Sequence, residues 1–69
     1  MAAVYAIRVK GHVDSIWQEW LDGLQILHEA DGTTVLTGMI VDQAALYSLI
    51  NKLAHLGLYL LSVQVVNEL

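Results

Sequence analysis

His12 and Asp14 stand two residues apart, with Trp17 close behind. A histidine beside a carboxylate is the raw material of a general base or a metal ligand: the carboxylate orients the imidazole, and the imidazole changes charge near neutral pH. A plainer role competes for the same residues. Gly11-His12 can open a turn, and Asp14 or Ser15 can cap the short helix that follows, a common role for aspartate. That reading takes precedence here.

His28 and His55 complete the histidine set. None of the three shows a ligand spacing such as HxxxH, and the absence of cysteine removes any thiolate site. No metal and no cofactor is therefore expected. Asp22, Glu29 and Asp31 could supply a carboxylate pair for acid–base work, but solvated turn charges are much the better account of them. The chain carries no GxSxG, P-loop or dinucleotide glycine pattern. Hence no residue is named as catalytic, and an enzyme is the less favoured reading. Arg8 and Lys10 fall on one strand face together with His12. Set around an apolar patch, they could grip the carboxylate or phosphate of a small ligand, or serve only as edge charges.

These side chains need elements to hold them. Residues 42–57, DQAALYSLINKLAHLG, read as one complete amphipathic helix. Asp42 suits the N-cap, and Leu46, Leu49, Ile50, Leu53 and Leu56 form one stripe of a 3.6-residue repeat. Lys52 and His55 sit near the negative end of the dipole, and Gly57 can take the left-handed conformation that closes the helix. Before it, residues 4–13 alternate as a strand with one buried face. SIWQEWL, from Ser15 to Leu21, has helical spacing that lets Trp17 and Trp20 share a side, with Gly23 as its stop. At under two turns it depends on packing of the indoles.

Residues 24–29 and 33–41 read as strands joined at Ala30-Asp31-Gly32. Asp-Gly is a preferred two-residue type I′ pair. That turn would set Leu27 opposite Leu36, leave Leu27, Leu36 and Ile40 on the outer face, and send Val35 and Met39 to the core; a one-residue bulge would swap the faces. Residues 58–66 form the last strand, with Tyr59, Leu61, Val63 and Val65 on one side and Leu58, Leu60, Ser62 and Gln64 on the other. Residues 67–69 read as a frayed tail.

The order β, short α, β, β, α, β is that of the ferredoxin-like split βαβ fold, an α+β domain. A four-stranded antiparallel sheet would carry both helices on one face. All 69 residues read as a single domain.

At 57% hydrophobic and 14% charged, this short chain has more apolar side chains than one small core hides. A homo-oligomer that covers the surplus, through the bare sheet face or strand edges, follows as an expectation. Leu27, Leu36, Ile40 and Leu60 on the bare sheet face are the interface candidates. The net charge is −4 with only Arg8, Lys10 and Lys52 as strong bases, so nucleic acid and anionic membranes are not expected partners. No apolar run reaches the length of a membrane span, and the opening MAAVYAIRVK lacks the basic-then-apolar order of a signal peptide. A cytoplasmic protein is the expectation.

Gly11-His12-x-Asp14-x-x-Trp17-x-x-Trp20-x-x-Gly23-Leu24, then Asp31-Gly32-Thr33-Thr34, Asp42-Gln43-Ala44-Ala45-Leu46 and Leu56-Gly57-Leu58, resemble a group of small uncharacterised bacterial proteins. The likeness spans nearly the whole chain and implies no particular activity. Three functions are weighed: a homo-oligomeric interaction module; a binder of a small apolar or anionic molecule through Arg8, Lys10, His12, Trp17, Trp20 and Tyr59 in an intersubunit pocket; and a small cofactor-independent enzyme using His12 or His28.

Overall fold

The computed structural model describes residues 2–68. The chain runs β1 (Ala3–Lys10), a 3-10 turn (Ser15–Trp17), β2 (Gln25–His28), β3 (Thr33–Ile40), α1 (Gln43–His55) and β4 (Tyr59–Glu68). All strand pairs are antiparallel, in the order β2-β3-β1-β4. The molecule is thus a small α+β domain with one α-helix among the described residues.

The helix forms as its sequence dictates. The Asp42 carboxylate accepts the Ala45 N–H at 2.8 Å, satisfying one of the donors orphaned in the first turn. Gly57, at φ +72°, ends it, and Leu58 N–H returns to the Leu53 carbonyl at 3.1 Å. Leu46, Leu49 and Leu53 are buried, with Ile50 and Leu56 partly so. They pack over Tyr5, Ile7 and Val9 of β1 and Leu36 and Ile40 of β3, joined by Val13, Leu21 and Leu24.

The expected helix over residues 15–21 is a 3-10 turn of three residues followed by irregular turns. Asp14 does cap it, accepting the Ile16 N–H at 3.1 Å. Bonds to the third residue back then dominate: Trp17 to Asp14, Gln18 to Ser15 and Asp22 to Glu19. Asp22 at φ +62° and Gly23 at φ +72° reverse the chain before an α-helix can extend. Only Leu21 of this segment is buried, so the two indoles give too little packing to sustain a helix that short.

The β2–β3 connection corrects a second expectation. Glu29 N–H donates to the Thr33 carbonyl at 2.8 Å and Gly32 N–H to the Glu29 carbonyl at 3.2 Å. Gly32 has φ +87°, whereas Asp31 does not enter the left-handed region. This is a three-residue loop, a type I turn closed by a glycine bulge, in place of the two-residue type I′ turn. The register therefore moves by one: Ile26 faces Leu36 and Leu27 faces Val35. Leu36 and Ile40 lie in the core, while Val35 and Met39 take the outer face. Leu27 is on the outer face as expected. At Gly38 a Cβ would come within 2.6 Å of Leu24 Cδ2, so the bare backbone there makes room for a buried leucine.

β4 is longer than expected and takes in Asn67 and Glu68; Leu69, the end of the expected frayed tail, lies outside the described residues. Register shifts against β1 leave Leu61 and Val66 without partners. Leu60 pairs with Val9, Val63 with Ile7 and Val65 with Tyr5, on the helix side of the sheet. Tyr59, Ser62, Gln64 and Asn67 pair with Lys10, Arg8, Ala6 and Val4 on the outer side. Leu60 was expected outside and Tyr59 inside; the extra residue at Leu61 exchanges them.

Candidate functional site

The residues between β1 and the 3-10 turn are tied to the β2–β3 hairpin by a compact set of hydrogen bonds. Thr34, fully buried, accepts the Val13 N–H at 3.0 Å and donates to the Gly11 carbonyl at 2.7 Å. His28 Nε2 donates to the Val13 carbonyl, and His12 Nε2 donates to the Glu29 carbonyl at 3.1 Å. Both Nε2 atoms serve as donors, since each faces a backbone carbonyl. The two imidazoles stack, centroids 4.7 Å apart and planes 13° from parallel. Each ring latches one segment to the other. No group of three or more histidine, aspartate or glutamate side chains is arranged to hold a metal among the described residues.

Beside the latch lies an open cleft of about 280 Å³ lined by His12, Val13, Asp14, Trp17, Leu56 and Leu58. Its walls are mostly apolar, with one imidazole and one carboxylate at the rim. A second recess, about 330 Å³, is lined by Asp22, Met39, Ile40, Val41, Ala45 and Ser48. Near it the Lys52 ammonium donates to Asp22 at 3.0 Å and lies 5.7 Å from the Trp20 ring centre.

The six expected ligand residues are not gathered in one place. His12 and Trp17 line the first cleft. Trp20 meets Trp17 edge to face, 5.8 Å between centroids, but is held toward Lys52. Tyr59 and Lys10 face each other on the outer side of the sheet. Arg8 is already engaged there: its guanidinium donates to Thr33 Oγ1 at 2.7 Å and lies 3.6 Å from Glu29 and 4.0 Å from Asp31. An anion would have to displace two carboxylates to reach it. Asp31 is held below the usual aspartate range, first by the Thr33 hydroxyl, then by the Thr33 N–H, and to a lesser degree by the Arg8 charge.

The largest concentration of exposed apolar side chains lies elsewhere. Tyr59, Leu60, Leu61, Val63, Val65 and Val66 of β4 are each 37–68% exposed. β4 is an outermost strand, hydrogen-bonded on one side to β1 and, among the described residues, to no strand on the other. Of the four interface candidates, Leu27 and Leu60 are exposed, and Leu36 and Ile40 are not. Sequence reasoning passed over Leu61, Val63, Val65 and Val66 as a surface. The signal was a run from Leu58 to Asn67 without a charge, in a strand that closes the element order.

A family model described as "Domain of unknown function (DUF8691)" matches residues 4–64. The chain belongs to this family. The match begins within β1, runs through α1 and the hairpin, and ends at Gln64 in β4. The DUF8691 region therefore contains the histidine latch, the cleft beside it and Tyr59 to Val63 of the apolar strand. No curated protein and no solved structure matches the chain. Among the described residues no helix is long and apolar enough to cross a membrane.

Proposed function

We propose that this protein is a self-associating interaction module whose working surface is the open edge of β4. The observation that carries the reading is the crowding of exposed apolar side chains on that one strand. Edge strands of stable monomers are ordinarily short, or interrupted by lysine, proline or charge. β2, the other edge, obeys that rule at four residues. β4 has ten, with Glu68 as its one charged residue and no proline. Covering such a strand removes both unpaired backbone groups and apolar surface from water. Light scattering on the purified protein across micromolar concentrations tests it: a dimer or larger closed species is expected, and a monomer at several hundred micromolar would sink the proposal.

We also read the fold as a reduced split βαβ arrangement. The four-stranded antiparallel sheet, ordered β2-β3-β1-β4, and the position of the 3-10 turn between β1 and β2 support this reading. With no cysteine in the sequence, a reducing compartment such as the cytoplasm is the proposed setting.

A second reading is favoured by the cleft at His12, Asp14 and Trp17. A small, mostly apolar molecule bearing a hydrogen-bond donor would suit its walls and rim. Trp17 fluorescence reports occupancy, and a metabolite library that leaves the emission unchanged would remove this reading.

A further inference from the structure

We infer that the partner at β4 is a second copy of the same strand, antiparallel, with the two-fold axis passing beside Val63. This rests on the self-association proposed above and specifies its geometry. The backbone groups left free on β4 decide the register. In an antiparallel ladder, residues alternate between pointing their N–H and C=O toward one neighbour and toward the other. The Glu29–Thr33 bond sets the phase at the hairpin. Counting across the registers of β3 and β1, Ser62 and Gln64 turn their backbone groups toward β1. Val63 turns its groups to the open edge, and it is flanked by the doublets Leu60-Leu61 and Val65-Val66, where the register shifts and the alternation is interrupted.

That pattern is symmetric about Val63. One irregular doublet precedes it and the other follows at the same distance. A two-fold at Val63 sets each doublet against the other doublet of the second copy. Val63 then meets Val63, Leu61 meets Val65, and Ser62 meets Gln64. Apolar side chains face apolar ones on the helix side, and polar side chains face polar ones on the outer side. Sliding one copy by a single residue would oppose outward-pointing groups to inward-pointing ones. Sliding by two toward the C-terminus would set Leu60 against Glu68 and Leu61 against Asn67.

The charges and the area agree with this arrangement. Between Leu58 and Asn67 the strand carries no charge, so two acidic chains meet without repulsion at the seam. Six side chains roughly half exposed, at ~200 Å² for a large residue, offer on the order of 600 Å² per copy. Ser62, Gln64, Asn67 and the backbone bring that toward the ~800 Å² per partner of a standard stable interface. The result is a continuous eight-stranded sheet.

The sequence contains no cysteine, so single cysteines report distances cleanly. Directly opposed residues that exchange hydrogen bonds have Cα atoms about 5.5 Å apart, within reach of a disulfide. Val63→Cys is expected to cross-link to a dimer on mild oxidation. Val65→Cys should not, because its two copies would lie four residues apart along the strand, about 13 Å. A mixture of Ser62→Cys and Gln64→Cys copies, altered only on the outer side, should cross-link to each other. It serves as the second measurement if Val63→Cys folds poorly. A wild-type dimer in which neither Val63→Cys nor the mixed pair cross-links overturns this geometry and leaves self-association standing. A wild-type monomer overturns both.

Discussion

Replacing Leu36 by alanine separates the two ways the hairpin could be closed. With the three-residue loop, Leu36 is fully buried beneath α1 and opposite Ile26. Truncating a leucine so placed costs about 2–5 kcal/mol, from lost burial and the cavity left behind. A 69-residue domain has only roughly 3–10 kcal/mol of stability in total at the usual value per residue. A loss of about 3 kcal/mol would lower the melting temperature by roughly 12–24 °C. Met39→Ala is the partner experiment. Met39 is 58% exposed on the outer face, and its removal should change stability by about 0.5 kcal/mol or less. Urea unfolding followed by tryptophan emission gives both values, at one fixed protein concentration because association would add to the apparent stability. If Leu36→Ala unfolds like the wild type while Met39→Ala loses ~2 kcal/mol or more, β3 faces the other way and the reasoning from Gly32 fails.

Three further outcomes are expected. Thr34→Val leaves the Val13 N–H and Gly11 carbonyl without their buried partner, at a cost of about 2 kcal/mol, read as a lower urea midpoint and faster hydrogen exchange at the Val13 amide. Gly32→Ala meets no atom within 4 Å, so its cost of about 1–2 kcal/mol is purely the left-handed backbone, and Gly32→Asn should recover part of it in thermal melts. Asp31 is stabilised as the carboxylate, so its contribution is present above the unfolded-state pKa and fades as pH falls through the lower folded-state value. A carboxyl NMR titration should place its midpoint below that of an ordinary aspartate; a midpoint at or above the ordinary value would refute the Thr33 and Arg8 contacts.

What could be read from the sequence was whatever a single segment decides by itself. Asp42, the leucine stripe and Gly57 lie within one helix, and each acts where its spacing implied. Tyr5, Ile7 and Val9 alternate inward in the same way. What could not be read was set by one residue more or less between segments. Asp31-Gly32 is equally compatible with two loop lengths, and the choice reverses every side chain of β3. Leu61 is the same problem in β4, since nothing in LYLLSVQVV marks which leucine is extra. The candidate site suffered from a different cause. Arg8, His12 and Tyr59 were grouped by chemical type, but Arg8 is engaged by Glu29 and Asp31, and Tyr59 is paired with Lys10 on the outer side of the sheet.

The central position of β1 has a consequence for how the chain is made. Of the four strands β1 is made before the others, yet it needs β3 on one flank and β4 on the other, and β4 is made after the other three. The hairpin can close early, and α1 can begin to coil, but both wait for a complete floor. Nascent chains stalled before residue 59 should therefore stay protease-sensitive and bound by chaperones, and become resistant within the length of one strand.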